Sequence, residues 1–109
     1  MIKEGLCAMI TAEGETLTAA LHGEIDHHSA AAVRTEIDTA LFKHRPKTLQ
    51  IDLADVGFMD SSGLGLILGR AALCRELGAH LSLLHPSERI MRVFRVVGLE
   101  RLTHITVKE

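Results

Sequence analysis

Residues 58–70 read Phe58-Met59-Asp60-Ser61-Ser62-Gly63-Leu64-Gly65-Leu66-Ile67-Leu68-Gly69-Arg70, an apolar pattern broken by Asp-Ser-Ser and three glycines. It follows a segment, Thr48 to Leu53, in which Leu49, Ile51 and Leu53 alternate as on a strand, continued loosely by Val56 and Phe58. It then runs into Leu64, Ile67, Leu68, Ala71 and Leu77 at helical spacing, with Gly78 placed to end the helix. A strand that turns straight into a helix at Asp-Ser-Ser is the βα unit of an α/β protein.

On either side of this unit the same grammar repeats. Leu6–Ala12 and Thr16–Leu21 alternate around Glu13-Gly14-Glu15, which predicts a β-hairpin whose glycine supplies a positive φ. Asp26 is placed as an N-cap before Val33, Ile37, Ala40 and Leu41, and Pro46 closes that helix. Leu81–Leu84 is a short strand. Pro86-Ser87-Glu88 opens a further helix carrying Ile90, Met91, Val93, Phe94 and Val97, closed by Gly98, and Leu102–Val107 is the last strand. The order β-β-α-β-α-β-α-β predicts an α/β fold with a mixed, mostly parallel sheet, an N-terminal hairpin and right-handed βα crossovers. No linker or internal repeat divides residues 1–109, so a single domain is expected.

Composition excludes several classes. The 109 residues carry 12 basic and 14 acidic side chains, a net charge of −2 and 47% hydrophobic residues, which argues against disorder and against a broad phosphate-binding surface. With Phe42, Phe58 and Phe94 as the only aromatics apart from histidines, there is no stacking platform for nucleic acid. No apolar run reaches the roughly 18–20 residues of a membrane helix, and Met1-Ile2-Lys3-Glu4-Gly5 is no secretory signal. Cys7 and Cys74 lie far apart with no CxxC spacing, and each reads as a small buried hydrophobe in a reducing, cytoplasmic setting. No direct nucleic-acid or membrane partner, no cofactor and no metal are expected. His27-His28 lacks the further ligands of a metal set and reads as a solvated pair beside Asp26. Arg89, Arg92 and Arg95 read as a solvated basic face, Met91 and Phe94 as core.

The Asp60-Ser61-Ser62-Gly63 turn admits four readings. Plain helix capping with glycines for close packing is one. A dinucleotide fingerprint is another, but the spacing is GxGxxxG, and His85-Pro86 stands where a ribose-binding acid would be. A nucleophilic serine lacks both the GxSxG context and a base. The fourth is a phosphoacceptor serine exposed at a helix N-terminus. No GxxxxGK[ST] loop occurs anywhere.

Residues 58–70, together with Gly23-Glu24-Ile25-Asp26-His27-His28 at the matching distance upstream, resemble the two signature motifs of the STAS-domain anti-sigma factor antagonists. The element order agrees with that family along the whole chain. Only Ala71-Ala72-Leu73-Cys74 is less polar than such helices tend to be. The resemblance implies a single STAS domain over 1–109 and a regulatory binding protein with no catalytic residues. Its unphosphorylated form would bind an anti-sigma factor that is also a GHKL-type serine kinase, releasing the sigma factor. Phosphorylation would fall on Ser61, not Ser62, and a PP2C-type phosphatase would reset the switch. Asp26, His27, Met59, Asp60, Ser61, Ser62 and Gly63 would form the partner-binding surface, on a chain expected to be monomeric. The alternative within the family is a STAS module of another partner-switching, stress-sensing or transport complex.

Overall fold

The computed structural model describes the backbone of residues 2–4 and residues 8–109. Leu6 and Cys7, which the sequence reading assigns to a strand and to the core, lie outside the described residues. Among the described residues six strands form one sheet in chain order: β1 (Ile2–Glu4), β2 (Ala8–Glu13), β3 (Thr16–Ile25), β4 (Thr48–Met59), β5 (His80–Leu84) and β6 (Ile105–Lys108). β1–β2 and β2–β3 are antiparallel; β3–β4, β4–β5 and β5–β6 are parallel. Three helices connect the parallel strands, α1 (His27–His44), α2 (Ser61–Leu77) and α3 (Glu88–Val97). The expected mixed, mostly parallel α/β fold is therefore present.

Two differences from the sequence reading have plain causes. β1 is an added edge strand whose three residues carry too little pattern to be read; its existence rests on pairing Ile2 with Thr11 and Glu4 with Met9. The last strand begins at Ile105 rather than Leu102, because Leu99–Arg101 forms a 3-10 turn after Gly98.

The sheet steps in one direction, so crossovers of one hand place all three helices on the same face. Burial follows that asymmetry. Leu17, Ala19, Leu21 and Ile25 of β3 and Leu49, Ile51 and Leu53 of β4 are buried under the helices. The alternate residues Thr18 and Gln50 stay part-exposed and hydrogen-bond each other at 3.1 Å on the open face. Phe94, Ile37, Leu41 and Ile67 close the core from the helix side. Met91 is 4% exposed and Phe94 0%, so both are core, as expected. Cys74 is also fully buried.

β3 and β4 outrun the rest of the sheet. β5 pairs with β4 only as far as Asp52↔Leu84, whereas β3–β4 pairing continues, through register shifts around His22 and Gly23, to Ile25↔Met59. The next residue on each strand is an aspartate, so two helix starts stand side by side at one end of the molecule.

Candidate functional site at the paired helix starts

Each aspartate is occupied as an N-cap, which satisfies amides that a helix start leaves unpaired. Asp26 Oδ1 accepts from the backbone N–H of His28 (3.0 Å) and Ser29 (3.1 Å). Ser29 Oγ accepts from the Asp26 N–H at 2.9 Å and donates to the Glu24 carbonyl at 2.9 Å, completing a capping box. These bonds, the one from the Ser29 amide foremost, hold the Asp26 carboxyl below its ordinary range. Asp60 Oδ1 accepts from the N–H of Ser62 (2.8 Å) and Gly63 (3.3 Å). The two caps are stitched together, since the Asp60 N–H donates to the Ile25 carbonyl at 3.3 Å.

Gly63 explains how closely the two starts approach. A Cβ there would collide with Met59 Cγ and lie 2.9 Å from the Ile25 carbonyl oxygen. Gly63 is buried, so its place in the sequence-predicted site is beneath the surface, supporting the turn. Gly65 and Gly69 differ: a Cβ on either would meet nothing within 4 Å.

Because Asp60 supplies the cap, Ser61 is free of that duty. It is the first residue of α2, exposed, and its hydroxyl has no hydrogen bond among the described residues. Ser61 borders a groove of about 260 Å³ walled by Met59, Leu64, Ile90, Val93 and Phe94. Ser62, one residue on, instead borders a second groove of about 280 Å³ between α1 and α2, with His27 and Arg34 on its far side. The adjacent serines thus open onto different surfaces. His27 and His28 are exposed, with ring centroids 5.8 Å apart. No group of three or more His, Cys, Asp or Glu suited to a metal occurs among the described residues. Phe58 is 42% exposed and Met59 half-buried, so Phe58 is the more accessible of the two. Arg89, Arg92 and Arg95 are exposed as expected, with Arg95 3.4 Å from Glu109.

Sequence reasoning missed two features. Arg70 ends the signature stretch and is 7% exposed, reaching from α2 to Asp38 of α1 with Nε 2.8 Å from Oδ1. An arginine among Leu66, Ile67, Ala71 and Cys74 was the available signal, but its partner lies 32 residues away. The α3 wall of the Ser61 groove is the second, since Ile90 and Val93 read in the sequence only as apolar positions of a helix.

The STAS domain family matches residues 8–109. The chain is 39% identical over 85 residues to the anti-sigma F factor antagonist of Lysinibacillus sphaericus, covering 78% of this chain and 73% of that protein. It is 36% identical over 86 residues to the anti-sigma-B factor antagonist of Bacillus subtilis, covering 79% and 77%. Among solved structures it resembles the anti-sigma factor antagonist SpoIIAA in its unphosphorylated form, with a TM-score of 0.70 at 35% identity over 81% of each chain. It also resembles Bacillus SpoIIAA in the phosphorylated form, with a TM-score of 0.74 at 33% identity over 92% of this chain and 89% of that one. The motifs, the sheet order and these matches agree: the chain belongs to the STAS domain family.

Proposed function

We propose that this chain is an anti-sigma factor antagonist that works by partner switching, as a single STAS domain over residues 1–109. Unphosphorylated, it binds an anti-sigma factor of the GHKL serine-kinase type, and the sigma factor is released. Phosphorylation of Ser61 ends that binding, and a PP2C-type phosphatase restores it. The chain acts as a regulatory binding protein and supplies one positioned hydroxyl; the kinase brings the nucleotide, the magnesium and the base. The observation that carries this reading is the uncommitted, exposed Ser61 hydroxyl at a helix start whose cap is already provided by Asp60. Relatives bearing the antagonist name, and a structural relative known in both phosphorylation states, support it.

The physics favours exclusion over refolding. A phosphate adds roughly −1.5 to −2 charges. At the α2 N-terminus the helix dipole tolerates it, with a benefit of about 0.3–1 kcal/mol. The fold stays, while a partner closing over Ser61 must desolvate a dianion beside the Asp60 carboxylate. A penalty of about 2–5 kcal/mol weakens binding roughly 30-fold to several-thousand-fold.

The test mixes the chain with its cognate anti-sigma kinase and ATP, then maps the phosphate by mass spectrometry. Phosphate on Ser61 is expected; phosphate on Ser62, or none, refutes the assignment. Ser61→Asp should fold normally and lose binding, and Ser61→Ala should bind and resist modification.

A further inference from the structure

Two glycines in the middle of α2 have no packing reason to be there. Gly65 and Gly69 sit one helical turn apart, and a Cβ on either would meet nothing within 4 Å. A glycine inside a helix is unfavourable relative to alanine, and the packing around these two offers nothing to offset that cost. With Ala30 and Ala31 of α1 opposite, they leave open the groove of about 280 Å³ between the two helices.

The groove is also electrically incomplete. Arg34 and Arg70 both line it and share one carboxylate, Asp38, at 4.0 Å and 2.8 Å. The closer contact lacks hydrogen-bond alignment, so Arg70 Nε and Asp38 Oδ1 are ion-paired without a hydrogen bond, and Arg70 Nη1 is buried with no hydrogen-bond partner among the described residues. Burial, and then the charge of Arg34, both work against the Arg70 cation, with Asp38 opposing them. His27 stands at the end of the groove nearest the helix starts. The cap carboxylates Asp26 and Asp60 are engaged with their own helix amides.

We propose that the groove between α1 and α2 receives a carboxylate side chain of the anti-sigma factor, lodged over Gly65 and Gly69 between Arg34 and Arg70. This rests on the partner-switching reading above and adds a contact separate from Ser61. Two guanidiniums facing the single Asp38 carboxylate leave one positive charge in excess, which suits a second carboxylate whose two oxygens match the guanidinium fork. The small-residue floor lets the acidic side chain descend between the helices, and the grooves beside Ser61 and Ser62 lie on either side of the same α2 start. The partner then covers both at once.

The test measures affinity for the cognate anti-sigma factor by calorimetry, with circular dichroism and thermal melts as checks on folding. Gly65→Leu and Gly69→Leu fill the groove and are expected to fold while binding at least about tenfold more weakly. Arg34→Glu changes an exposed charge without touching the packing; it is expected to cost at least about tenfold and to flatten the salt dependence of binding. A folded Gly65→Leu or Arg34→Glu variant that binds within about twofold of the parent overturns the proposal. So does a response of the residue 65–70 amide resonances to 10 mM inorganic phosphate with partner affinity intact in both leucine variants, which would make the groove a small-anion site. Failure of the parent chain to bind the anti-sigma factor would defeat the functional reading itself. Loss of binding in Ser61→Asp with normal binding in the groove variants would defeat the groove alone.

Discussion

Replacing Gly63 by alanine should destabilise the chain, although alanine is the better helix former. The helix-propensity gain is about 0.5–1 kcal/mol. Against it stand the contacts the new methyl would make: a collision with Met59 Cγ, 2.9 Å to the Ile25 carbonyl oxygen and 3.2 Å to Ile25 Cγ2. Met59 can rotate away. The carbonyl cannot, because it belongs to β3 and accepts the Asp60 N–H at 3.3 Å. Overpacking a site with a fixed wall costs about 1–3 kcal/mol, and weakening the Asp60 bond adds to it. The net expectation is a loss of about 1–2 kcal/mol. At about 2.1 cal/mol/K of unfolding entropy per residue, each kcal/mol moves the melting temperature of a chain of this size by about 4 °C. Gly65→Ala is the internal control. Its Cβ meets nothing, so the same substitution two residues along the same helix should raise stability by about 0.5–1 kcal/mol. Urea denaturation of the parent and the two variants reads both signs. Equal stability for Gly63→Ala and the parent, or a loss of 1 kcal/mol in Gly65→Ala, would show that contact with the β3 carbonyl does not set the role of these glycines.

Three further outcomes follow from the packing and the charges. Asp38→Asn leaves Arg70, 7% exposed, without its carboxylate, and should cost about 3 kcal/mol in urea denaturation, the low end for a buried pair because Asp38 itself is 25% exposed; the pair replaced together by leucines should recover most of that loss. Burial pushes the Cys74 thiol up to about 11, so in a Cys7→Ser chain at pH 8 a thiol reagent should leave Cys74 untouched until the protein unfolds. The Asp26 carboxyl, held below 3.8 chiefly by the Ser29 amide, should titrate below that value by NMR. Because its folded-state value is depressed, its contribution to stability is fully present above the unfolded value and is lost as pH falls through the folded one. Ser29→Ala, which removes the hydroxyl of the capping box, should bring the midpoint part of the way back.

Much of this molecule was legible in its residues because the deciding physics is local. Asp26, Asp60 and Ser87 cap the three helices as their positions in the sequence indicate, and Gly78 and Gly98 end two of them in the left-handed conformation that glycine adopts freely. Alternation in Leu17–Leu21 and Leu49–Leu53 marks strands with one covered face, and Gly14 turns the hairpin at φ 59°. These features depend on neighbours within a few positions, so the residues alone indicate the helices, the strands from β2 onward, their order and the exposed Ser61, whereas β1 and the 3-10 turn leave no such pattern.

Tertiary structure alone decided how those elements meet. The pairing Ile25↔Met59 brings two caps from distant parts of the chain to one edge. It turns a glycine-rich turn that could be read as a dinucleotide fingerprint into a close crossing, with Gly63 pressed on the Ile25 carbonyl. It sends Ser61 toward α3 and Ser62 toward α1, a division that adjacent identical residues cannot show on paper. It also gives Arg70 its partner across 32 positions. Each of these is a contact between segments whose separation in sequence carries no periodic signal, and each exists only once the sheet has set the distance between its helices.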